Sequence, residues 1–152
     1  MRATGTKENP IIFTSSDKSW PGLLIINSDI ESNFSHAYFS KIGGVGKGPS
    51  SNSIIQNGWT MTGGVTVYNS AVNFSYCNFN ESMTEDALNI ISSSFSLDSC
   101  TFKNIFSDAF DGDFVQGEVK NCIFMKVKGD GVDFSGSQVS VTGCSFSDIN
   151  DK

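Results

Sequence analysis

The sequence lacks several patterns, and each absence narrows the class of protein. It contains no run of 18 apolar residues, so no membrane insertion is expected. Its opening stretch, MRATGTKENP, has no apolar core of the kind that a signal peptide needs. Alanine is scarce, whereas the chain has 15 glycines and 13 phenylalanines, with frequent serine and asparagine. Because these residues favour turns and strands, the 152-residue chain is predicted to be a single all-β domain.

Positive charge is sparse in the second half of the chain. Residues 1–80 hold 5 Lys and Arg against 4 Asp and Glu, whereas residues 81–152 hold 5 against 12. No arginine follows Arg2. Because the chain has no basic patch that could neutralise phosphates, nucleic acid is not expected as a partner, whereas the acidic half permits cation binding.

Cysteine is also rare, but its positions are regular. The four cysteines lie at intervals of 23, 22 and 22 residues, and a phenylalanine follows each of them two residues later. The pairs are Cys77 with Phe79, Cys100 with Phe102, Cys122 with Phe124 and Cys144 with Phe146. A period of 22 that is built from three short alternating segments is typical of a parallel β-helix, and the leucine pattern of leucine-rich repeats is absent.

Polar residues repeat with the same period. Asp86, Asp108 and Asp130 each precede a small residue, which is typical of a turn. A second row, Asn89, Asp111 and Asp133, follows three residues later in each repeat. If Val132 and Phe134 point inward, Asp133 points outward, and Asp111 should lie about 5 Å away along the solenoid axis.

The repeat extends toward the N-terminus with one interruption. Residues 63–67 match the positions of 86–90, and residues 34–42 match 97–105. A Gly/Ser-rich insertion separates these two stretches. We therefore predict a single β-helix domain at 1–152, with about five coils of about 22 residues in three parallel sheets. It divides into irregular N-terminal coils at 1–42, an inserted loop at 43–62 and regular repeats at 63–152.

The stretch VKNCIFMKVKGDGVDFSGS, at 119–137, resembles the right-handed parallel β-helix repeat of the pectate-lyase-like superfamily. Residues 72–149 match that repeat in four copies. The resemblance implies a right-handed parallel β-helix that is a fragment of a longer secreted or cell-surface protein. It implies no single activity, because the superfamily contains lyases, hydrolases, phage tailspikes and surface proteins.

The cysteines are expected to form one inward stack of free thiols. Parallel strands keep neighbouring Cβ atoms near the strand spacing, farther apart than a disulfide requires. A linear stack also does not converge on a metal ion as zinc ligands do. The lone histidine, His36, precedes Ala37 at the cysteine position and is expected to face solvent or a turn.

The candidate metal site consists of Asp111, Asp113, Asp133 and Asn89. Neighbouring carboxylates repel each other unless a cation bridges them, and Ca²⁺ binds six to eight oxygen atoms. In the resembling lyases, acidic residues on an exposed sheet hold Ca²⁺ that bridges to a uronate, so Ca²⁺ is the expected cofactor. Two other interpretations remain: outward Asp and Asn that only keep the sheet soluble, or a carboxylate pair of a hydrolase.

Trp59 and Lys128 are the candidate substrate-binding residues. Trp59 lies in the inserted loop, where it would either stack on a sugar or hold the loop in place. Lys128 lies just before Asp130, and a Lys or Arg abstracts the proton in the resembling lyases. No complete lyase catalytic set is recognisable in this sequence.

These features favour a polysaccharide-interacting module of a secreted or cell-surface protein, assisted by a cation, with a polysaccharide or cell-surface glycan as its partner. The alternatives are a non-catalytic stalk or adhesin segment and a fragment of a polysaccharide lyase or glycoside hydrolase. The final stretch, VSVTGCSFSDINDK, fills only part of a coil, and no cap helix is visible. Either a longer β-helix or end-to-end self-association through open strand edges is therefore expected.

Overall fold

The chain forms a parallel β-solenoid. The computed structural model describes residues 1–44, 54–56 and 59–151, and for 54–56 and 59–60 the backbone only. Within this part of the chain there is no α-helix, and so no helix that could cross a membrane. Three all-parallel sheets stack about five turns along one axis, which confirms the predicted fold class.

Each complete turn of the solenoid contributes one strand to each sheet, in the order A, B, C, and the last turn contributes only to sheets A and B. Sheet A contains β1 (Arg2–Thr4), β4 (Ser32–Ser35), β9 (Val72–Ser75), β12 (Ser94–Asp98), β15 (Gln116–Lys120) and β18 (Gln138–Thr142). Sheet B contains β2 (Ile11–Phe13), β5 (Ala37–Ile42), β10 (Asn78–Ser82), β13 (Thr101–Ile105), β16 (Ile123–Val127) and β19 (Ser145–Ile149). Sheet C contains β3 (Leu23–Ile26), β8 (Val65–Tyr68), β11 (Asp86–Ile91), β14 (Asp108–Asp113) and β17 (Val132–Ser135).

The stretch predicted as an inserted loop, 43–62, contains a small separate sheet. Strands β6 (Ile54–Gln56) and β7 (Trp59–Met61) pair in antiparallel fashion between β5 of sheet B and β8 of sheet C. The insertion thus interrupts the corner between sheets B and C in one turn only. That corner leads directly into the strands that carry the acidic residues.

A phenylalanine stack fills the core beneath sheet B. Its rings are nearly parallel, with centroids 4.6 Å apart for Phe79 and Phe102, 4.9 Å for Phe102 and Phe124, and 4.8 Å for Phe124 and Phe146. This spacing is that of neighbouring strands, so each ring packs on the ring of the next turn. The stack continues to Phe39, and it confirms the predicted axial alignment.

The cysteines form a second inward row just before the sheet B strands. All four thiols are free, three of them are buried, and Cys144 on the last turn is half-buried. Each Sγ lies against backbone carbonyls, as in the contact of 3.3 Å between Cys122 Sγ and the oxygen of Lys120. The cysteines therefore act as small apolar core residues, as predicted.

Left-handed backbone conformations recur at fixed positions of the repeat. Three axial rows of residues have positive φ, one at the A–B corner, one inside the sheet B strands and one at the C–A corner. The A–B row is His36, Tyr76, Ser99, Asn121 and Gly143; the sheet B row is Lys41, Glu81, Asn104, Lys126 and Asp148; the C–A row is Asn27, Asn69, Ser92, Phe114 and Gly136. His36 therefore lies at a turn, as expected, with its ring stacked on Tyr76.

Candidate functional site

The predicted row Asn89, Asp111 and Asp133 exists on sheet C. Asn89 pairs with Asp111, and Asp111 pairs with Asp133, in the registers of β11 with β14 and β14 with β17. Parallel pairing places these residues one strand spacing apart, about 4.8 Å. This row lies along the outer side of sheet C. We call the surface formed there by Asp111, Asp113 and Asp133 the acidic face.

The alternation of β14 decides which of its residues reach the acidic face. Phe110 is fully buried in the core, and Asp111 and Asp113 point to the other side, where both are half-buried. Gly112 lies on the inner side, and a Cβ placed there would come within 2.9 Å of the Phe134 ring. A glycine at 112 thus leaves room for the next aromatic side chain while its neighbours carry the carboxylates.

Asn89 joins the acidic face to the buried part of the sheet. Its Nδ2 donates a hydrogen bond of 2.7 Å to Asp111 Oδ2. The side chain is only 3% exposed, and Oδ1 has no hydrogen-bond partner among the described residues. A Cβ placed on Gly63 would lie 2.7 Å from the Cβ of Asn89, so the backbone at Gly63 closes over this side chain. An unpaired buried oxygen is costly, and a hydrogen-bond donor or a cation that reached Oδ1 would remove that cost.

Burial and mutual repulsion raise the pKa of two carboxyls of the acidic face. Burial, followed by the charges of Asp113 and Asp133, raises the pKa of Asp111 to about 7. The pKa of Asp113 is also raised, first by burial and then by the charge of Asp133. No Lys or Arg of the described residues forms an ion pair with these carboxylates. The one ion pair among the described residues joins Lys120 to Glu118 on sheet A.

The row of aspartates that was predicted to form local turns, Asp86, Asp108 and Asp130, also makes hydrogen bonds between turns of the solenoid. Asp108 Oδ1 accepts a hydrogen bond of 2.8 Å from the amide of Asp130, one turn farther along, instead of from its own turn. Gly129 permits this approach, because a Cβ at 129 would overlap the Asp108 carboxylate. Burial raises the pKa of Asp108 above its usual range, although that hydrogen bond opposes the shift.

Asp86 is the buried member of the same row. Thr62, at the end of the inserted segment, donates a hydrogen bond of 2.9 Å from its hydroxyl to Asp86 Oδ2. Burial, followed by the charge of Asp111, raises the pKa of Asp86 to about 8. This carboxyl is therefore largely protonated at neutral pH and does not take part in the acidic face as a charge.

The two predicted substrate-binding residues are not brought together. Lys128 is exposed at the corner between sheets B and C, with Nζ 4.9 Å from the centre of the Phe106 ring. An open groove of about 470 Å³ runs past this corner, lined by Met83, Phe106, Lys126 and Lys128 among others. Trp59 is the first residue of β7, and its side chain lies outside the described residues.

One exposed aromatic beside the acidic face escaped the sequence prediction. Phe114 directly follows Asp113 at the C–A corner and is 56% exposed. In the sequence it reads as another apolar residue of an alternating strand. Only its positive φ of 53° turns the side chain out of that alternation.

The donor chemistry of the acidic face fits a hard cation, but the arrangement is open. Carboxylate and amide oxygens are the ligands of Ca²⁺. Among the described residues, no three His, Cys, Asp or Glu side chains already stand close enough to hold a metal ion. A cation would therefore have to draw in exposed side chains such as Asp133.

Comparison with family models, with curated proteins and with solved structures found no match to this chain.

Proposed function

We propose that this solenoid is a polysaccharide-interacting module whose acidic face holds a divalent cation, Ca²⁺ in the first place. The observation that carries the proposal is the alignment of Asp111, Asp113 and Asp133 on the outer face of two neighbouring strands, without an ion-pair partner among the described residues. Three carboxylates within two strand spacings repel each other, and a cation would remove that repulsion.

Residues of two neighbouring strands would supply part of the coordination shell. Asp111 and Asp113 lie on the same side of β14, about 7 Å apart at their Cα atoms, and Asp133 lies one strand away. Asn89 fixes the carboxylate of Asp111 from the buried side. The remaining positions would be open to water and to a sugar carboxylate, because Ca²⁺ takes six to eight oxygens.

An acidic saccharide is the partner class that such a cation would recruit. A negatively charged face repels a uronate, so the cation would serve as the bridge between the two sets of carboxylates. The resemblance of the repeat to pectate-lyase-like proteins supports the same partner class and a secreted or cell-surface parent protein. Lys126 and Lys128, at the corner where the sheet C strands begin, would add positive charge at one side of the bound chain.

The test is a calorimetric titration of the protein with Ca²⁺ at pH 6 and pH 8, followed by titration with short oligogalacturonates in Ca²⁺ and in chelator. We expect Ca²⁺ binding that is tighter at pH 8, because Asp111, with a pKa of about 7, must lose its proton first. We expect oligogalacturonate binding in Ca²⁺ only.

Asp111→Asn and Asp133→Asn should each weaken Ca²⁺ binding at least tenfold. Asp98→Asn is the matched control, because Asp98 is also a half-buried carboxylate in a central strand but belongs to sheet A. If the wild-type protein at pH 8 gives no heat of Ca²⁺ binding and Ca²⁺ does not change its melting temperature, the proposal is overturned.

Two alternative functions follow from other observations. The first is a fragment of a hydrolase or lyase. It is favoured by the pKa of Asp111, which at about 7 suits a general acid or base, and release of new reducing or unsaturated ends from polygalacturonate would reveal it.

The second is a non-catalytic stalk or adhesin segment. It is favoured by the unbroken phenylalanine stack, which stabilises the fold and needs no binding or catalytic site.

A further inference from the structure

The groove at the corner between sheets B and C combines positive charge with apolar surface. Its charged lining residues are Lys126, Lys128 and Asp148. Met83 and Phe106 also line it, and they are large apolar residues that are 61% and 50% exposed. Residues 81–152 hold only 5 Lys and Arg against 12 Asp and Glu, so two lysines in one groove stand out from an acidic surrounding.

The two lysines present their charge to solvent. Both are exposed, and no carboxylate of the described residues forms an ion pair with either of them. Lys128 Nζ lies 4.9 Å from the centre of the Phe106 ring, whose face attracts a cation. Because this contact holds the Lys128 side chain in place, less conformational entropy is lost when its ammonium group binds an anion.

Lysine side chains favour a compact oxyanion. Arginine matches the planar carboxylate with two parallel hydrogen bonds, whereas lysine acts as a point charge with three donors that rotate freely. No arginine follows Arg2 in the sequence, so the groove depends on lysine alone. A sulfate ester is such a compact oxyanion, and a sugar that carries it has C–H surface to place against Met83 and Phe106.

We propose that this groove is a second saccharide site, which binds a sulfated glycan directly through Lys126 and Lys128, without a cation. The inference requires the groove alone and is independent of Ca²⁺ at the acidic face. Because the chain has a net charge of -6, the rest of its surface does not attract a polyanion, and binding is confined to the groove.

The test is calorimetric titration with a sulfated dextran oligosaccharide in chelator, which keeps divalent cations away from the acidic face. The unsulfated oligosaccharide of the same length is the comparison. We expect only the sulfated oligosaccharide to bind, and its affinity to fall as salt is added. The double variant Lys126→Gln with Lys128→Gln should lose affinity about tenfold or more and keep the wild-type melting temperature, because both side chains are exposed.

Asp148→Asn tests the same site with the opposite sign. Asp148 lines the groove, so its negative charge opposes a bound sulfate, and its removal should raise the affinity severalfold. Lys120→Gln is the matched control, because Lys120 is also an exposed lysine of the acidic half but pairs with Glu118 on sheet A. This variant should bind the sulfated oligosaccharide as wild type does.

Three results would each overturn the groove site. They are no binding of the sulfated oligosaccharide to the wild-type protein in chelator, equal binding by the double lysine variant, and no gain in affinity for Asp148→Asn. None of them affects the Ca²⁺ titration of the acidic face, so the proposed function is decided separately.

Discussion

Asp86 couples the stability of this fold to pH through one buried carboxyl. Its pKa is about 8 in the folded protein and ordinarily 3.8, so the folded state holds a proton that the unfolded chain releases between these values. Stability from this group is complete below about pH 4 and is lost as the pH rises through about 8. Asp111, with a pKa of about 7, contributes in the same direction.

Asp86→Asn should flatten this dependence. Asparagine is neutral at every pH, and its Oδ1 can still accept the hydroxyl of Thr62. We expect the variant to be more stable than wild type at pH 8, and the decline of melting temperature between pH 5 and pH 8 to become shallower. Thermal unfolding at fixed ionic strength measures both.

Asp17→Asn serves as the control for this measurement, because Asp17 is an exposed carboxylate outside the strands, in the segment between β2 and β3. It should keep the wild-type pH profile. An Asp86→Asn profile parallel to that of wild type would show that the Asp86 carboxyl is already charged in the folded protein.

At the level of the elements, the phenylalanine stack packs each turn against the next beneath sheet B. Phe102 is fully buried, and its ring lies 4.6 Å from Phe79 and 4.9 Å from Phe124. Removing one ring leaves two neighbours without a packing partner and opens a cavity in the middle of sheet B. The loss of stability should therefore exceed the hydrophobic transfer free energy of the phenylalanine side chain, because the cavity adds a further cost.

Phe102→Ala should lower the free energy of unfolding by about 3–5 kcal/mol. Urea unfolding followed by circular dichroism measures the change. Phe106→Ala is the control: Phe106 is 50% exposed at the B–C corner, so its loss should cost no more than about 0.5 kcal/mol. Equal losses for the two variants would contradict the central role of the stack.

The rows of residues with positive φ could not be predicted from the alternation of apolar and polar residues. Alternation identified the inward residues of all three sheets, because a pleated strand turns successive side chains to opposite sides. It gave no sign that Lys41, Glu81 and Lys126 would have positive φ, since these residue types seldom do. All three lie one residue before the end of a sheet B strand, at equivalent positions of the repeat.

At the level of the whole molecule, stacking of turns leaves apolar side chains uncovered at the last described turn. Phe146 is 45% exposed and Val141 is 41% exposed, whereas their counterparts Phe124 and Val119 are fully buried. The strands β18 and β19 also present unpaired backbone groups along one edge. Such an edge favours pairing with a further strand.

This chain should therefore associate at rising concentration. Sedimentation velocity should show a concentration-dependent increase in mass that Phe146→Ser reduces. A monomer at all concentrations would exclude self-association through this end.

The sequence by itself determined the architecture and the neighbours along the axis. A fixed period places residue i beside residue i+22, so the phenylalanine stack, the cysteine row and the pair Asp111–Asp133 all follow from spacing. No information from distant parts of the chain is needed, because each turn contacts only the turns next to it.

Only the tertiary structure decided which polar residues are buried and which form a site. Asp86 and Asp108 occupy equivalent positions, yet Asp86 is buried because Thr62, from the end of the inserted segment, contacts it. Asn89 is enclosed in the same way by Gly63. An insertion present in one turn breaks the equivalence of the repeats, and nothing in the period encodes where it will pack.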